Sequence, residues 1–202
     1  MRDLEIRGAG NLLGAKQHGH MQAVGYDLYC KMLNEAVKNL KGISTVEDFE
    51  TSVDLDVDAF IPPAYIVNEV QKLDIYKRIA GVENQNECDE MKEELLDRFG
   101  ETPTAVENLL RIAMIRVQAH KVYITEIRGR NGEILFKLKV DAAIRPEQIP
   151  VLLKKYDRLS FSPKGIPSFL FRYKKCGMVE RDAQMMLGFT EELLNEMEAI
   201  LL

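Results

Sequence analysis

The chain has 202 residues, of which 46% are hydrophobic and 29% are charged, and its formal net charge is -5. This composition predicts a packed core and argues against wholesale disorder. A dominant nucleic-acid-binding protein would more often be basic. No apolar run approaches the roughly 18 residues that span a bilayer, so we expect a cytoplasmic protein without a membrane partner.

The motifs of several common enzyme classes are missing from the sequence. It contains no P-loop, no nucleophile elbow, no zinc-protease motif and no EF-hand loop. Its three cysteines, Cys30, Cys88 and Cys176, are far apart and support neither a disulfide framework nor a zinc site. ATP hydrolysis by the chain alone, zinc proteolysis and triad hydrolysis are therefore all disfavoured, and we expect no metal site and no cofactor in this chain.

The first 50 residues differ in pattern from the rest of the chain. Residues 2–21 contain four glycines and no apolar period, which predicts an irregular loop. Apolar residues then recur every three or four positions up to Gly42, which predicts a long amphipathic helix. We treat residues 1–50 as a separate segment and residues 51–202 as one domain.

The domain is predicted to start with an edge strand at residues 53–57, where Val and Leu alternate with Asp before Pro62 and Pro63. Three helices are expected next: residues 64–80, residues 86–99, and a third with Thr102 as N-cap and Pro103 at its first position. The expected stripe of the second helix is Cys88, Met91, Leu95 and Phe99. The expected stripe of the third is Val106, Leu109, Leu110, Ala113 and Val117.

The second half of the domain is predicted to contain two hairpins. Residues 122–128 and 133–139 flank an Asn-Gly pair, the strongest short hairpin signal. Residues 159–161 and 169–173 are expected to pair likewise, with a short helix at 146–155 before them and a last helix from about Glu180. The fold class is therefore α+β: a helix cluster packed on a small, largely antiparallel sheet.

Charge is segregated along the chain. Residues 83–101 hold eight acidic and two basic residues, whereas residues 145–175 hold eight basic and two acidic residues. The pattern fits two solvated faces, and it also fits a polar docking surface. A nucleic-acid module that uses the basic stretch is a further alternative.

The loop of residues 8–19 carries the densest cluster of glycines. Gly8, Gly10 and Gly14 have the wrong spacing for a dinucleotide-binding fingerprint. The guanidinium of Arg7 and the amide of Gln17 could hold phosphates or carboxylates. From the residues alone, the loop is either a plain surface loop or the site of a self-standing protein that binds a phosphate-bearing ligand.

Residues 3–19 closely resemble the second part of the TRG motif, which follows the second motor lobe in superfamily-2 double-stranded DNA translocases. The matching positions are residues 3–7, Gly8, Gly10, Gly14, Gln17 and Gly19. Four further segments resemble the C-terminal region of the bacterial transcription-repair coupling factors: residues 24–29, 60–62, 75–80 and 94–100. The similarity runs from residue 2 to about residue 138.

The resemblance implies a whole protein that is an ATP- and magnesium-dependent double-stranded DNA translocase. Such a protein displaces stalled RNA polymerase and recruits UvrA for nucleotide excision repair. Its motor lobes would precede this chain. By the same resemblance, Arg7 and Gln17 couple ATP hydrolysis to translocation, although His18 stands where relatives often carry serine.

Residues 51–202 would then match an autoinhibitory domain, which docks on the protein's own N-terminal UvrA-binding module and masks it. The resemblance places Glu94, Asp97 and Arg98 on the motif that makes this contact. On a helix, Glu94 and Arg98 lie one turn apart, a spacing that also fits an ordinary surface pair.

Overall fold

A computed structural model describes residues 49–201 of the chain. Its strands are β1 (Ser52–Leu55), β2 (Ile124–Arg130), β3 (Glu133–Leu138), β4 (Leu159–Ser162) and β5 (Ser168–Arg172). Its helices are α1 (Glu69–Ala80), α2 (Gln85–Phe99), α3 (Thr104–Lys121), α4 (Ile149–Lys155) and α5 (Val179–Met197). Short 3-10 turns, Pro146–Gln148 and Glu198–Ile200, precede α4 and follow α5. The predicted loop of residues 2–21 and the predicted helix after it lie outside the described residues.

The five strands form one sheet in the order β1-β2-β3-β5-β4. β2, β3, β5 and β4 pair antiparallel, while β1 joins β2 in parallel at one edge. A parallel neighbour needs a long crossover, and α1, α2 and α3 supply it. The prediction of an α+β fold with a largely antiparallel sheet is confirmed, as is the edge position of β1.

The turn between β2 and β3 has the geometry that its sequence predicts. Asn131 and Gly132 form a two-residue connection with φ angles of 54° and 81°. Both angles are in the left-handed region, which Asn and Gly tolerate better than other residues. The hairpin brings Ile134, Phe136 and Leu138 onto the buried face, and this prediction is confirmed.

Two apolar clusters form the core, and α3 contributes to both. Towards its N-terminal half, Val106, Leu109, Leu110 and Ala113 pack with buried residues of α1 and α2. Further along, α3 packs against the sheet and α5 through Ile112, Ile115 and Ala119. The predicted stripe is thus confirmed at four positions, whereas Val117 is only half-buried. The predicted stripe covers only one buried face of α3. The face that carries Ile112, Ile115 and Ala119 was missed because α3 lies between two layers and is buried on both sides.

Two predicted helix starts are wrong. α1 begins at Glu69 instead of residue 64, because the side chain of Asn68 accepts hydrogen bonds from the backbone N–H groups of Val70 and Gln71. α3 begins at Thr104 with Pro103, not Thr102, as its N-cap. No side chain within residues 49–201 caps that end of α3.

Candidate docking surface

Helix α2 presents all three residues that the resemblance assigns to a docking contact. Its stripe of Cys88, Met91 and Leu95 is buried against the helical cluster, which turns the opposite side of the helix towards solvent. Gly100 ends the helix with φ 83°, and its N–H donates to the carbonyl of Leu96. Glu94, Asp97 and Arg98 are therefore presented on the last turns of a well-anchored helix.

The carboxylate of Glu94 lies between two guanidinium groups. Arg98, one turn further along α2, donates from Nη1 to Glu94 Oε1 at 2.5 Å. Arg78, in the last turn of α1, donates from Nη1 to the same oxygen at 2.6 Å and from Nη2 to Oε2. The predicted surface pair of Glu94 and Arg98 is thus part of a three-residue network that joins two helices. We call Arg78, Glu94 and Arg98 the charged network.

The contact between Glu94 and Arg78 changes the proton affinities of both side chains. Hydrogen bonds from Arg78, and then from Arg98, lower the pKa of Glu94 to about 2. The same contact with Glu94 raises the pKa of Arg78 above its ordinary value. Glu94 and Arg78 are consequently charged throughout the neutral pH range.

An aromatic pair supports Arg98 from the other side. The guanidinium carbon of Arg98 lies 4.9 Å from the ring centroid of Phe99, a cation–π distance. Phe99 in turn contacts Tyr65, with 5.8 Å between the ring centroids. The hydroxyl of Tyr65 reaches the carbonyl of Leu95 at 3.1 Å. Arg98 is therefore held at the surface by a carboxylate and by a packed ring.

Asp97 and Leu96 lie beside the charged network and face solvent. Leu96 is 57% exposed and places one apolar side chain next to these charges. Asp97 is exposed and makes no ion pair with any other residue of the 49–201 segment. The surface thus combines fixed charges, one exposed carboxylate and one apolar side chain, which together suit a protein partner.

The basic stretch of residues 145–175 is distributed over α4, β4, β5 and their loops. Lys155 pairs with Glu196 of α5 at 2.7 Å, and Arg172 pairs with Glu133 of β3 at 2.8 Å. Part of its charge is therefore neutralised inside the domain. This pairing favours a solvated face over a strip dedicated to nucleic acid.

Arg7 and Gln17, the predicted translocation-coupling residues, lie outside the described residues, as does the loop of residues 8–19. Among residues 49–201, no group of three or more His, Cys, Asp or Glu side chains is arranged to hold a metal ion. In that same segment, no helix is both long enough and apolar enough to cross a membrane.

The low pKa of Glu94 makes the stability of the domain depend on pH. A carboxylate whose pKa is about 2 when folded and about 4.3 when unfolded stabilises the fold above the unfolded value. This stabilisation is lost as the pH falls through the folded value. We expect Glu94→Gln to cost at most about 1 kcal/mol at pH 6, because the network is partly exposed.

Thermal unfolding of the parent chain and Glu94→Gln between pH 6 and pH 2 measures this effect. The difference between the two midpoints should shrink towards pH 2, where the parent carboxyl also loses its charge. A difference that stays constant over this range would contradict the low pKa.

The chain also resembles known proteins. Residues 55–149 match the family model described as the TRCF domain. Over 144 residues, or 71% of the chain, the sequence is 43% identical to a transcription-repair-coupling factor from Bacillus subtilis (strain 168). It is 46% identical over 144 residues, or 70% of the chain, to the protein of that name from Staphylococcus aureus (strain USA300). The chain spans 12% of the length of each of these relatives.

A solved structure has the same fold. The crystal structure of the C-terminal domain of a transcription-repair coupling factor matches with a TM-score of 0.62 and 24% sequence identity. The match covers 76% of this chain and 97% of that one. The described residues therefore form an α+β domain of the kind found in that structure. The segment 55–149 within it matches the TRCF domain in sequence.

Proposed function

We propose that this chain is the C-terminal part of a transcription-repair coupling factor, and that residues 51–202 form a non-catalytic, autoinhibitory domain. In this proposal the domain docks on the N-terminal UvrA-binding module of its own protein and masks the surface that UvrA recognises. The observation that carries the proposal is the charged network, with exposed Asp97 beside it, inside the segment that matches the TRCF domain.

The chemistry of the surface supports docking on protein. The charges of Glu94 and Arg98 are held in place before any partner arrives, so docking costs little side-chain entropy. Asp97 offers a carboxylate to a partner's cation, and Arg98 offers donors to a partner's acceptors. The net charge of -5 also suits a protein partner better than a nucleic acid.

The whole protein is proposed to be an ATP- and magnesium-dependent double-stranded DNA translocase in the cytoplasm. It would displace stalled RNA polymerase and recruit UvrA for nucleotide excision repair. This chain lacks a P-loop and would bind neither ATP nor magnesium itself. Its share of the activity would be the translocation-coupling segment, residues 1–50, and the masking domain.

Removing the docking residues tests the proposed masking. In the full-length protein, we expect the triple substitution Glu94→Ala, Asp97→Ala and Arg98→Ala to increase UvrA retention in a pull-down about tenfold. A loss of about 0.5 kcal/mol of docking free energy at each of the three exposed positions accounts for a shift of that size.

The control for this triple variant lies on another side of the same helix. Asp89 and Lys92 form an exposed pair at 3.4 Å, and their joint replacement with alanine should leave UvrA retention at the parent level. If the triple variant retains no more UvrA than the parent protein, the assignment of the docking surface is wrong.

The similarity of residues 3–19 to the TRG motif supports a coupling role for Arg7 and Gln17. In the full-length protein, Arg7→Ala or Gln17→Ala should reduce triplex displacement at least about tenfold, since each removes a polar contact worth about 1.5 kcal/mol or more. ATP binding should persist. Asn11→Ala, at a variable position of the motif, serves as the control.

Normal triplex displacement by both variants would refute the coupling role. The loop of residues 8–19 would then return to its alternative interpretation, a site for a phosphate-bearing ligand. Binding of inorganic phosphate to the parent chain, and its loss in Arg7→Ala, would support that alternative.

A further inference from the structure

We propose that Arg78 is a positioning residue of the docking surface, which orients the carboxylate of Glu94 and, through it, the guanidinium of Arg98. This inference rests on the proposed function, because it concerns the same surface. Arg78 lies outside the motif that pointed to Glu94, Asp97 and Arg98. Sixteen positions separate it from Glu94, and it belongs to a different helix.

The backbone of Arg78 is held rigidly by its neighbours. Ile75 and Ile79, on the buried side of α1, are both 0% exposed. The end of the helix is fixed as well, because Arg116 of α3 donates from Nη2 to the carbonyl of Ala80. The guanidinium of Arg78 therefore projects from a fixed point towards α2.

The contact between Arg78 and Glu94 is a two-pronged one. Nη1 and Nη2 each bond a different carboxylate oxygen, an arrangement that fixes the plane of the carboxylate. Arg98 reaches Glu94 through Nη1 alone. A single hydrogen bond between two long side chains leaves both free to rotate, whereas the planar fork of Arg78 restricts Glu94 to one orientation.

The number of hydrogen bonds that the Glu94 carboxylate already accepts defines the role of this residue. A carboxylate offers about four acceptor positions, and the two arginines use three of them. Glu94 consequently has little capacity left for a partner, while Arg98 keeps most of its donors. Arg78 thus acts on docking indirectly: it determines where Glu94 points, and Glu94 determines where Arg98 is presented.

Substitution of Arg78 in the full-length protein tests this role. Arg78→Gln should raise UvrA retention about 2- to 5-fold, the range that corresponds to losing one exposed ion pair. Arg78→Lys should also raise it, because an ammonium retains the charge but cannot make the fork. Thermal unfolding of each variant shows whether the domain is still folded.

A double-substitution cycle separates positioning from direct contact. If Arg78 acts through Glu94, the variant Arg78→Gln with Glu94→Gln should retain no more UvrA than Glu94→Gln alone. Arg172→Gln is the control, since it removes another arginine–carboxylate pair, with Glu133, from the sheet, and this pair is more exposed than that of Arg78 and Glu94. Its UvrA retention should equal that of the parent protein.

Each contrary outcome has a distinct meaning. If the triple variant at Glu94, Asp97 and Arg98 raises UvrA retention but Arg78→Gln does not, the positioning role is overturned and the docking surface stands. Parent-level retention in Arg78→Lys would overturn the role of the fork. Additive effects of Arg78→Gln and Glu94→Gln would overturn the indirect route. If neither Arg78→Gln nor the triple variant raises retention, the proposed function itself fails.

Discussion

Replacing Phe136 with alanine is expected to lower the free energy of unfolding by about 3–5 kcal/mol. Phe136 is 0% exposed and lies in β3, at the centre of the five-stranded sheet. It pairs with Ile127 on β2 and with Phe169 on β5, and both neighbours are also 0% exposed. The truncation leaves a cavity that strands held on both sides cannot close, and chemical denaturation of the 202-residue chain measures the loss.

The neighbouring residue Leu135 provides the control, because it points to the other face of the sheet. Its side chain is only half-buried, so Leu135→Ala should cost about 1 kcal/mol. Successive residues of a strand alternate between faces, and a shift of one position would exchange the two environments. Equal losses for Phe136→Ala and Leu135→Ala would therefore contradict the register of β3.

The elements that the sequence predicted well are those that local rules specify. The Asn131-Gly132 turn demands left-handed backbone angles, and the strands on both sides alternate cleanly. Helix α2 is bounded by Asn84, which caps its first turn, and by Gly100 at its end. Each of these elements is specified by residues that lie close together along the chain.

Local sequence rules could not predict how the strands are arranged in the sheet. The sequence predicted two hairpins in one small antiparallel sheet, but it did not show that β3 and β5 are the strands that pair to join them. It predicted β1 as an edge strand but not its parallel pairing with β2. These contacts join residues that are distant along the chain, so they depend on how the helical crossover packs and not on any local spacing.

In the candidate site, too, the contact between residues close along the chain was predictable and the contact between distant residues was not. The one-turn spacing of Glu94 and Arg98 predicted a pair, and the structure contains it at 2.5 Å. Arg78 was missed because a helical period shows only that it lies outside the stripe of Ile75 and Ile79. The packing of α1 against α2 decides that Arg78 is the cation that meets Glu94. The depressed pKa of Glu94 depends most on that unpredicted partner.

The acid-rich stretch of residues 83–101 can now be divided by role. Glu87 accepts a hydrogen bond from the backbone N–H of Glu83 and supports the start of α2. Glu94 is paired with two arginines, so its charge is neutralised locally. Asp97 keeps an exposed carboxylate. Both interpretations of the charge pattern therefore apply to this stretch. Much of it is structural or solvated, and only its C-terminal end suits docking.

The second large effect is expected at the β2–β3 turn, where Gly132→Ala should lower the free energy of unfolding by about 2–4 kcal/mol. An alanine at φ 81° costs roughly 1–2 kcal/mol in backbone strain alone. In addition, a Cβ at this position would lie 2.7 Å from the carbonyl oxygen of Tyr173, a backbone atom that cannot rotate away. Relief requires the turn to separate from the end of β5, which breaks the 2.8 Å bond from Tyr173 N–H to the Gly132 carbonyl.

A second glycine separates the strain from the steric clash. Gly165, in the turn between β4 and β5, has φ 72°, and no heavy atom of the described residues lies within 4 Å of the position that a Cβ would occupy there. Gly165→Ala should therefore show only the backbone cost, about 1 kcal/mol. Urea denaturation of both variants gives the difference, which measures how tightly the hairpin turn is held against β5. If the two alanine variants lose equal stability, the close approach of Gly132 to Tyr173 contributes nothing, and the turn is free of the strand beside it in the sheet.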